Sequence, residues 1–334
     1  MRELHSTSKT AAASLAFFFL LTFPVASQTL KISAFRDITA FVLEGGSGHF
    51  DNLDITYVAN ADEAHDDLRT QASDLVFMSY DDTLSMRLQD LYADIRAVMP
   101  VHGGILDLAG EIDIANNKTK IGIDTPTGYA RALKLYLQSA YPGDFDKLEF
   151  DQVGATDLRY EELRQGHINA TLLNPPFSYL PDAPRIVRMH DVIGAYQGVV
   201  VNANASWLQN SANAAMLEDF SASYYERIEF MRTNPQATIS ELVSFYGSKG
   251  VTEEVAAGIY ARLWSEDGLA VNPLFDLPQL SGTESIFAID SGIAVPDSRD
   301  WIASVPEPRV FSLFAMAVVI FALAKRACKS LFMT

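Results

Sequence analysis

Thr125-Pro126-Thr127-Gly128 combines two hydroxyls, a proline with a pre-set φ and a glycine that lets backbone come close, just before a helical pattern that begins at Tyr129. Between a strand and a helix, such a stretch can cradle an anion or a polar head group. A helix terminus adds only about 0.3–2 kcal/mol to the binding of a charge, whereas a micromolar Kd needs about 8 kcal/mol. Other groups must therefore close on the same solute, and plain capping is the alternative. Asn174-Pro175-Pro176-Phe177 offers an amide and an aromatic face at the end of an apolar run, where prolines stop a strand ladder. A simple strand-ending turn is the alternative there. Tyr196-Gln197 leads into another apolar run. Ser79-Tyr80-Asp81-Asp82 follows a third, as a loop that either faces a solute or is solvated.

Other chemistry finds no support. His65-Asp66-Asp67 and His102-Gly103-Gly104 have no partner at zinc-ligand spacing. Neither a nucleophile elbow nor a phosphate loop occurs. No catalytic group, metal or cofactor is expected, and the chain reads as a binder rather than an enzyme. His49 after Gly48 reads as a turn residue, and the sequon Asn117-Lys118-Thr119 as chance. A net charge of -17 and a pI near 4.7 exclude a nucleic-acid partner, which needs a cationic face. The single cysteine, Cys328, rules out a disulfide framework.

The elements that must position these residues alternate between strands and helices. Leu30 to Phe35, Leu53 to Val58 and Asp74 to Met78 read as strands, with a helix from Ala61 to Gln71 between the last two. A second set follows: strand Lys120 to Ile123, helix Tyr129 to Tyr141, strand Leu148 to Asp151, helix Asp157 to Gln165 and strand Ile168 to Leu173. Such alternation predicts mostly parallel sheets. Two β-rich passages, Ile95 to Leu108 and Tyr196 to Val201, read as chain crossings between two lobes. Helical patterns then run over Met216 to Met231, Gln236 to Tyr246 and Glu253 to Trp264. The expected layout is an α/β protein with lobe 1 over 28–100 plus 196–300, lobe 2 over 101–195, and a cleft where strand ends meet helix N-termini.

Both termini read as sorting signals. A basic lead from Met1 to Lys9 precedes the apolar run Ala11 to Val25, and Val25-Ala26-Ser27 offers small residues for signal-peptide cleavage. The mature start is expected near Gln28, with Ser27 and Gln28 flanking the cut. The run is shorter than the roughly 20 residues that span a bilayer, which argues against a retained anchor. At the other end come Val305-Pro306-Glu307-Pro308, an apolar stretch from Val310 to Ala324, and then Lys325-Arg326 and Lys329. This order resembles a PEP-CTERM sorting signal, and the resemblance implies processing at Pro306, Glu307 and Pro308 by an exosortase. An ordinary single-span anchor is the alternative. Either way the body faces outward, in the periplasm or at the cell envelope, held at least transiently by a short C-terminal membrane helix.

Ile121 to Ala130, Asn169 to Phe177, Ala195-Tyr196-Gln197-Gly198 and Ser79 to Asp82, in that setting, resemble the type II periplasmic solute-binding proteins of the nitrate/taurine/sulfonate ABC-transporter group. The resemblance spans most of the mature body. It implies two lobes closing on a small polar or anionic solute, of nitrate, sulfonate or aminopyrimidine type, and presentation to an ABC permease or a sensor. Ser79, Tyr80, Asp81, Thr125, Thr127, Gly128, Tyr129, Asn174, Pro175, Phe177, Tyr196 and Gln197 become candidate ligand contacts. One departure is a short connection between the first strand and Gly48-His49-Phe50, where the group usually has a fuller contacting helix. The sorting tail favours a second expectation, a surface-sorted envelope or matrix protein that reuses the binding fold.

Overall fold

The computed structural model describes residues 28–45, 50, 52–114 and 119–303. Ser27, Gly48-His49, Asn117-Lys118, Pro306, Glu307, Pro308 and the apolar tail lie outside the described residues, whereas Gln28 is described and exposed. Among the described residues no helix is long and apolar enough to cross a membrane.

Among the described residues ten strands form two five-stranded sheets. The first contains β1 (Leu30–Ala34), β2 (Leu53–Tyr57), β3 (Leu75–Ser79), β4 (Ile95–Pro100) and, from late in the chain, β10 (Val199–Asn204), in the order β2-β1-β3-β10-β4. The second contains β5 (Asp107–Gly110), β6 (Thr119–Ile123), β7 (Leu148–Gln152), β8 (Ala170–Leu173) and β9 (Arg185–Arg188), in the order β7-β6-β8-β5-β9. The two orders are equivalent. In each sheet a first strand pairs in parallel with the second and third, and an antiparallel strand separates the third from the fourth. Four of five strands thus share one direction. In both sheets the antiparallel strand, β10 or β5, is the one the chain enters directly from a crossing, so each sheet is completed by a chain arriving from the other.

Burial follows sheet position. The central strands β3 and β10 are buried at every residue, as strands covered on both faces must be, while the edge strand β2 alternates between half-buried and exposed. Helices α1 (Ile38–Glu44), α2 (Ala61–Thr70) and α3 (Tyr80–Leu84) belong to the first half. Helices α4 (Tyr129–Ala140), α5 (Thr156–Arg164) and α6 (Met189–Ile193) accompany the second sheet. The C-terminal helices α7 (Ala205–Leu208), α8 (Ser211–Thr233), α9 (Pro235–Tyr246) and α10 (Glu253–Leu263) return to the first sheet, where Phe220, Tyr224 and Ile228 of α8 pack in one core with Phe41, Phe77 and Val201. Finally α11 (Leu277–Ser291) packs against both α3 and α4.

The strand and helix expectations hold within one or two residues except for α8, expected over Met216 to Met231 and running over Ser211–Thr233, and two corrections have physical reasons. Ser79 to Asp82 is not a loop: Ser79 caps α3, accepting from the Asp82 N–H, and Tyr80, Asp81 and Asp82 are buried within it. The connection after β1 does hold a helix, α1, nucleated by Asp37 through its bond from the Thr39 N–H (2.8 Å). Between the sheets the chain passes twice, over 101–106 and 194–198, and the passes lie side by side. Gly198 N–H donates to His102 O (3.0 Å), and a Cβ on Gly198 would stand 2.2 Å from the Gly104 nitrogen.

Candidate functional site

A cavity of about 40 Å³ lies where the carboxyl ends of equivalent strands in the two sheets face each other. From the first sheet come Phe35 and Asp37 beyond β1, Ser79 at the end of β3 with Asp82 just beyond it, and Val199 of β10. The second sheet supplies Asp124, Thr125, Thr127 and Gly128 beyond β6, Tyr129 at the head of α4, Thr156 and Arg159 of α5, and Asn174 beyond β8. The space suits about three water molecules, and therefore a compact head group.

Asp82 is the best-connected carboxylate. It accepts from the hydroxyls of Ser79 (2.7 Å) and, across the cleft, Thr127 (3.0 Å), and His65 Nε2 stands 3.7 Å away. Burial alone would raise its pKa, but His65, Ser79 and Thr127 hold it below the usual carboxylate range. His65 rises in response, Asp82 outweighing the burial that opposes it. Gly128 makes the approach possible: at φ +58° a Cβ there would meet Asp82 Oδ2 at 2.9 Å. The anion at the head of α4 is thus supplied by the protein itself. No side chain caps that helix; the Thr125 hydroxyl instead pairs with the Thr127 hydroxyl (2.9 Å). The expected cap hydroxyl is corrected accordingly.

Asp37 and Asp124 are less satisfied. Each uses Oδ1 on one backbone N–H, Thr39 at 2.8 Å and Ala61 at 3.3 Å, and the Thr39 side chain also supports Asp37. Burial pushes both up to about 6, against the pull of Thr39 on the first and of Arg159 on the second. Arg159, 4 % exposed, is tied to the main chain, with Nε on Leu172 O (3.2 Å) and Nη1 on Gly154 O. The Tyr129 hydroxyl is fully buried and, among the described residues, without a partner. Burial first, then Asp37, Asp82 and Asp124 together, raise its pKa well above the ordinary range. That places the phenol in the field of all three carboxylates.

The mouth is shut. Ala155 N–H donates to Ala59 O (2.7 Å), joining the loop after β7 to the loop after β2. Gly154, at φ +107°, lies where a Cβ would stand 2.5 Å from the same oxygen. The bond from Ala61 N–H to Asp124 and the one from Thr127 to Asp82 also cross the cleft. On the far side of α4, Arg131 pairs with Asp81 of α3 (2.8 Å) and with Asp290 of α11.

Of the sequence candidates, Ser79, Thr125, Thr127, Gly128, Tyr129 and Asn174 meet in the cavity. The other six lie elsewhere. Tyr80 is turned to Glu284 and Trp301 through its hydroxyl, and Asp81 to Arg131. Pro175 is buried in the turn after β8, and Phe177 packs on Tyr160 at 5.5 Å in the main core. Tyr196 packs against Tyr129 with the rings tilted and their centroids 6.0 Å apart. Gln197 knits the crossings, donating to His102 O and Val199 O (3.2 Å each). Sequence reasoning missed Phe35, Asp37, Asp124, Thr156, Arg159 and Val199, and left Asp82 open between facing a solute and being solvated; it lines the cavity. Asp124 carried a usable signal, a carboxylate closing the apolar strand Ile121–Ile123. Among the described residues no group of three or more His, Cys, Asp or Glu is placed to hold a metal ion.

No protein-family model and no curated protein sequence matches the chain. Solved structures do. The ligand-binding component of an ABC-type import system from Staphylococcus aureus, with zinc bound, aligns at TM-score 0.64 and 15 % identity over 83 % of this chain and 97 % of that one. The alkanesulfonate-binding protein of Xanthomonas axonopodis pv. citri, bound to MOPS, aligns at 0.60 and 14 % over 83 % and 98 %. The periplasmic aliphatic sulphonate-binding protein of Escherichia coli aligns at 0.57 and 14 % over 79 % and 87 %. At these identities the likeness is one of fold: the chain has the two-sheet fold of periplasmic solute-binding proteins.

Proposed function

We propose that the chain is an exported solute-binding protein whose lobes, 28–100 with 196–300 and 101–195, close on a small polar solute and present the closed form to an ABC-type permease or a sensor. One observation carries this: equivalent strand ends of two equivalent sheets converge on one cavity, bridged by hydrogen bonds that exist only when the cleft is shut. The buried Tyr129 hydroxyl, without a partner among the described residues, favours capture, since burying such a group unpaired costs about 1–3 kcal/mol. Among the candidates only those at the cleft, Ser79, Thr125, Thr127, Gly128, Tyr129 and Asn174, are retained as contacts. Calorimetry of the purified protein against nitrate, sulfonates, aminopyrimidines and small amines tests the proposal. At least one should bind at micromolar Kd or better; no heat from any, with no change in scattering, sinks it.

The sequence of the tail supports a second reading, in which the same body is sorted to the envelope or matrix by an exosortase-type enzyme and held by the C-terminal segment. Mass spectrometry of the native protein separates the two. A C-terminus cut near Pro306-Glu307-Pro308 favours surface sorting, and an intact tail disfavours it.

A further inference from the structure

On the premise that the cleft captures a solute, we propose that the solute is a compact organic monocation, an ammonium or amidinium group, held by Asp37 and Asp124 with Tyr129 as a further contact. Charge is the first ground. Asp82 is matched by His65 and two hydroxyls, which leaves Asp37 and Asp124 opposed by Arg159 alone, so the ionised cavity carries one uncompensated negative charge.

The second ground is independent of charge. Among the described residues the Tyr129 hydroxyl is fully buried and has no partner, and Tyr129 lines the cavity together with Asp37 and Asp124, each of which takes one backbone N–H on Oδ1. An ammonium or amidinium N–H set donates to all three acceptors. Phe35 and Tyr129 add aromatic walls, which attract cations. The ordinary anion position is already filled. Asp82 sits against the head of α4, and Arg159 spends Nε and Nη1 on backbone oxygens. An entering sulfonate or nitrate would face three carboxylates and find one half-engaged guanidinium.

The pH dependence has a defined sign. Asp37 faces Asp157 and Arg159, and Asp124 faces Arg159, Asp82 and Asp62; both protonate near pH 6 in the empty cleft. A cation binds the ionised forms. Its affinity rises roughly tenfold per pH unit for each carboxylate below that pH and levels off above it.

Calorimetry of the purified full-length protein with methylammonium, ethanolammonium and acetamidinium, against nitrate and methanesulfonate, at pH 5, 6 and 7.5, tests this. The expected result is binding of a cationic probe, strengthening between pH 5 and 7.5. Asp37→Asn and Asp124→Asn should each lower affinity at least tenfold and flatten the pH profile. Both asparagines keep the backbone acceptor, so folding is preserved and circular dichroism verifies it. Tyr129→Phe should weaken binding several-fold at every pH. Binding of an anion but of no cation overturns the monocation and leaves solute capture standing. Cation binding indifferent to both asparagine variants overturns the assigned residues. Silence from every probe, with unchanged scattering, overturns both proposals together.

Discussion

Carboxylates raised by burial make the cleft costly to keep empty. A rise from 3.8 to about 6 means that Asp37 and Asp124 stay protonated in the folded chain after the unfolded chain has ionised. Stability contributed by these groups is therefore present below about pH 3.8 and lost as pH rises through 6, by up to about 3 kcal/mol for Asp37 and less for the partly exposed Asp124. Asp37→Asn should accordingly raise the unfolding free energy of the unliganded protein at pH 7.5 by about 1–3 kcal/mol, with little effect at pH 4. Urea denaturation at the two pH values measures it, and a variant less stable than the parent at pH 7.5 refutes the assignment. Gly128→Ala has the opposite character. With φ at +58° and Asp82 Oδ2 2.9 Å from the new Cβ, it should cost about 1–3 kcal/mol and spoil the Thr127–Asp82 bond, read as a lowered Tm. At this scale the sequence showed Thr125 to Tyr129 and Asn174, because turn residues at a strand-to-helix junction announce their geometry. It hid Asp37 and Arg159, and left Asp82 undecided between cleft and solvent. A carboxylate or guanidinium has the same letter on the surface as in a cleft, and only packing decides which it is.

Elements carry the closure. Arg131 leaves the second sheet's helix α4 to meet Asp81, Ser85 and Gln89 on the first half and Asp290 on α11, and it is 3 % exposed. Truncation would strand the buried Asp81 without its counter-charge. Arg131→Ala should destabilise the protein by about 3–5 kcal/mol in urea unfolding; a loss under about 1 kcal/mol would show that the pair is not needed. The strands and most helices were legible because their apolar periods of 2 and 3.6 are local. Helix α11 was not, since it carries a proline at its start and its buried positions Leu280, Thr283, Glu284 and Phe287 mix apolar with polar residues. Its role is set by what it touches, two helices far away in sequence.

The whole molecule is two copies of one sheet plan joined by adjacent crossings, and that plan is what the alternation of strands and helices predicted. The pairing of each sheet with a strand from the far side of a crossing was beyond reach from sequence. Val199 and Ser79 become neighbours across 120 positions, a distance that no local pattern encodes. Closure of the two halves around a solute is the central claim, and spin labels at Asp62 and Gln152, whose side chains meet at 3.5 Å across the mouth, report on it directly. With Cys328 replaced by serine, Asp62→Cys/Gln152→Cys carries one label on each side. Pulsed electron resonance should give a short, narrow distance distribution with millimolar ethanolammonium and a longer or broader one without it. Distributions unchanged by ethanolammonium and by methanesulfonate alike would contradict the account.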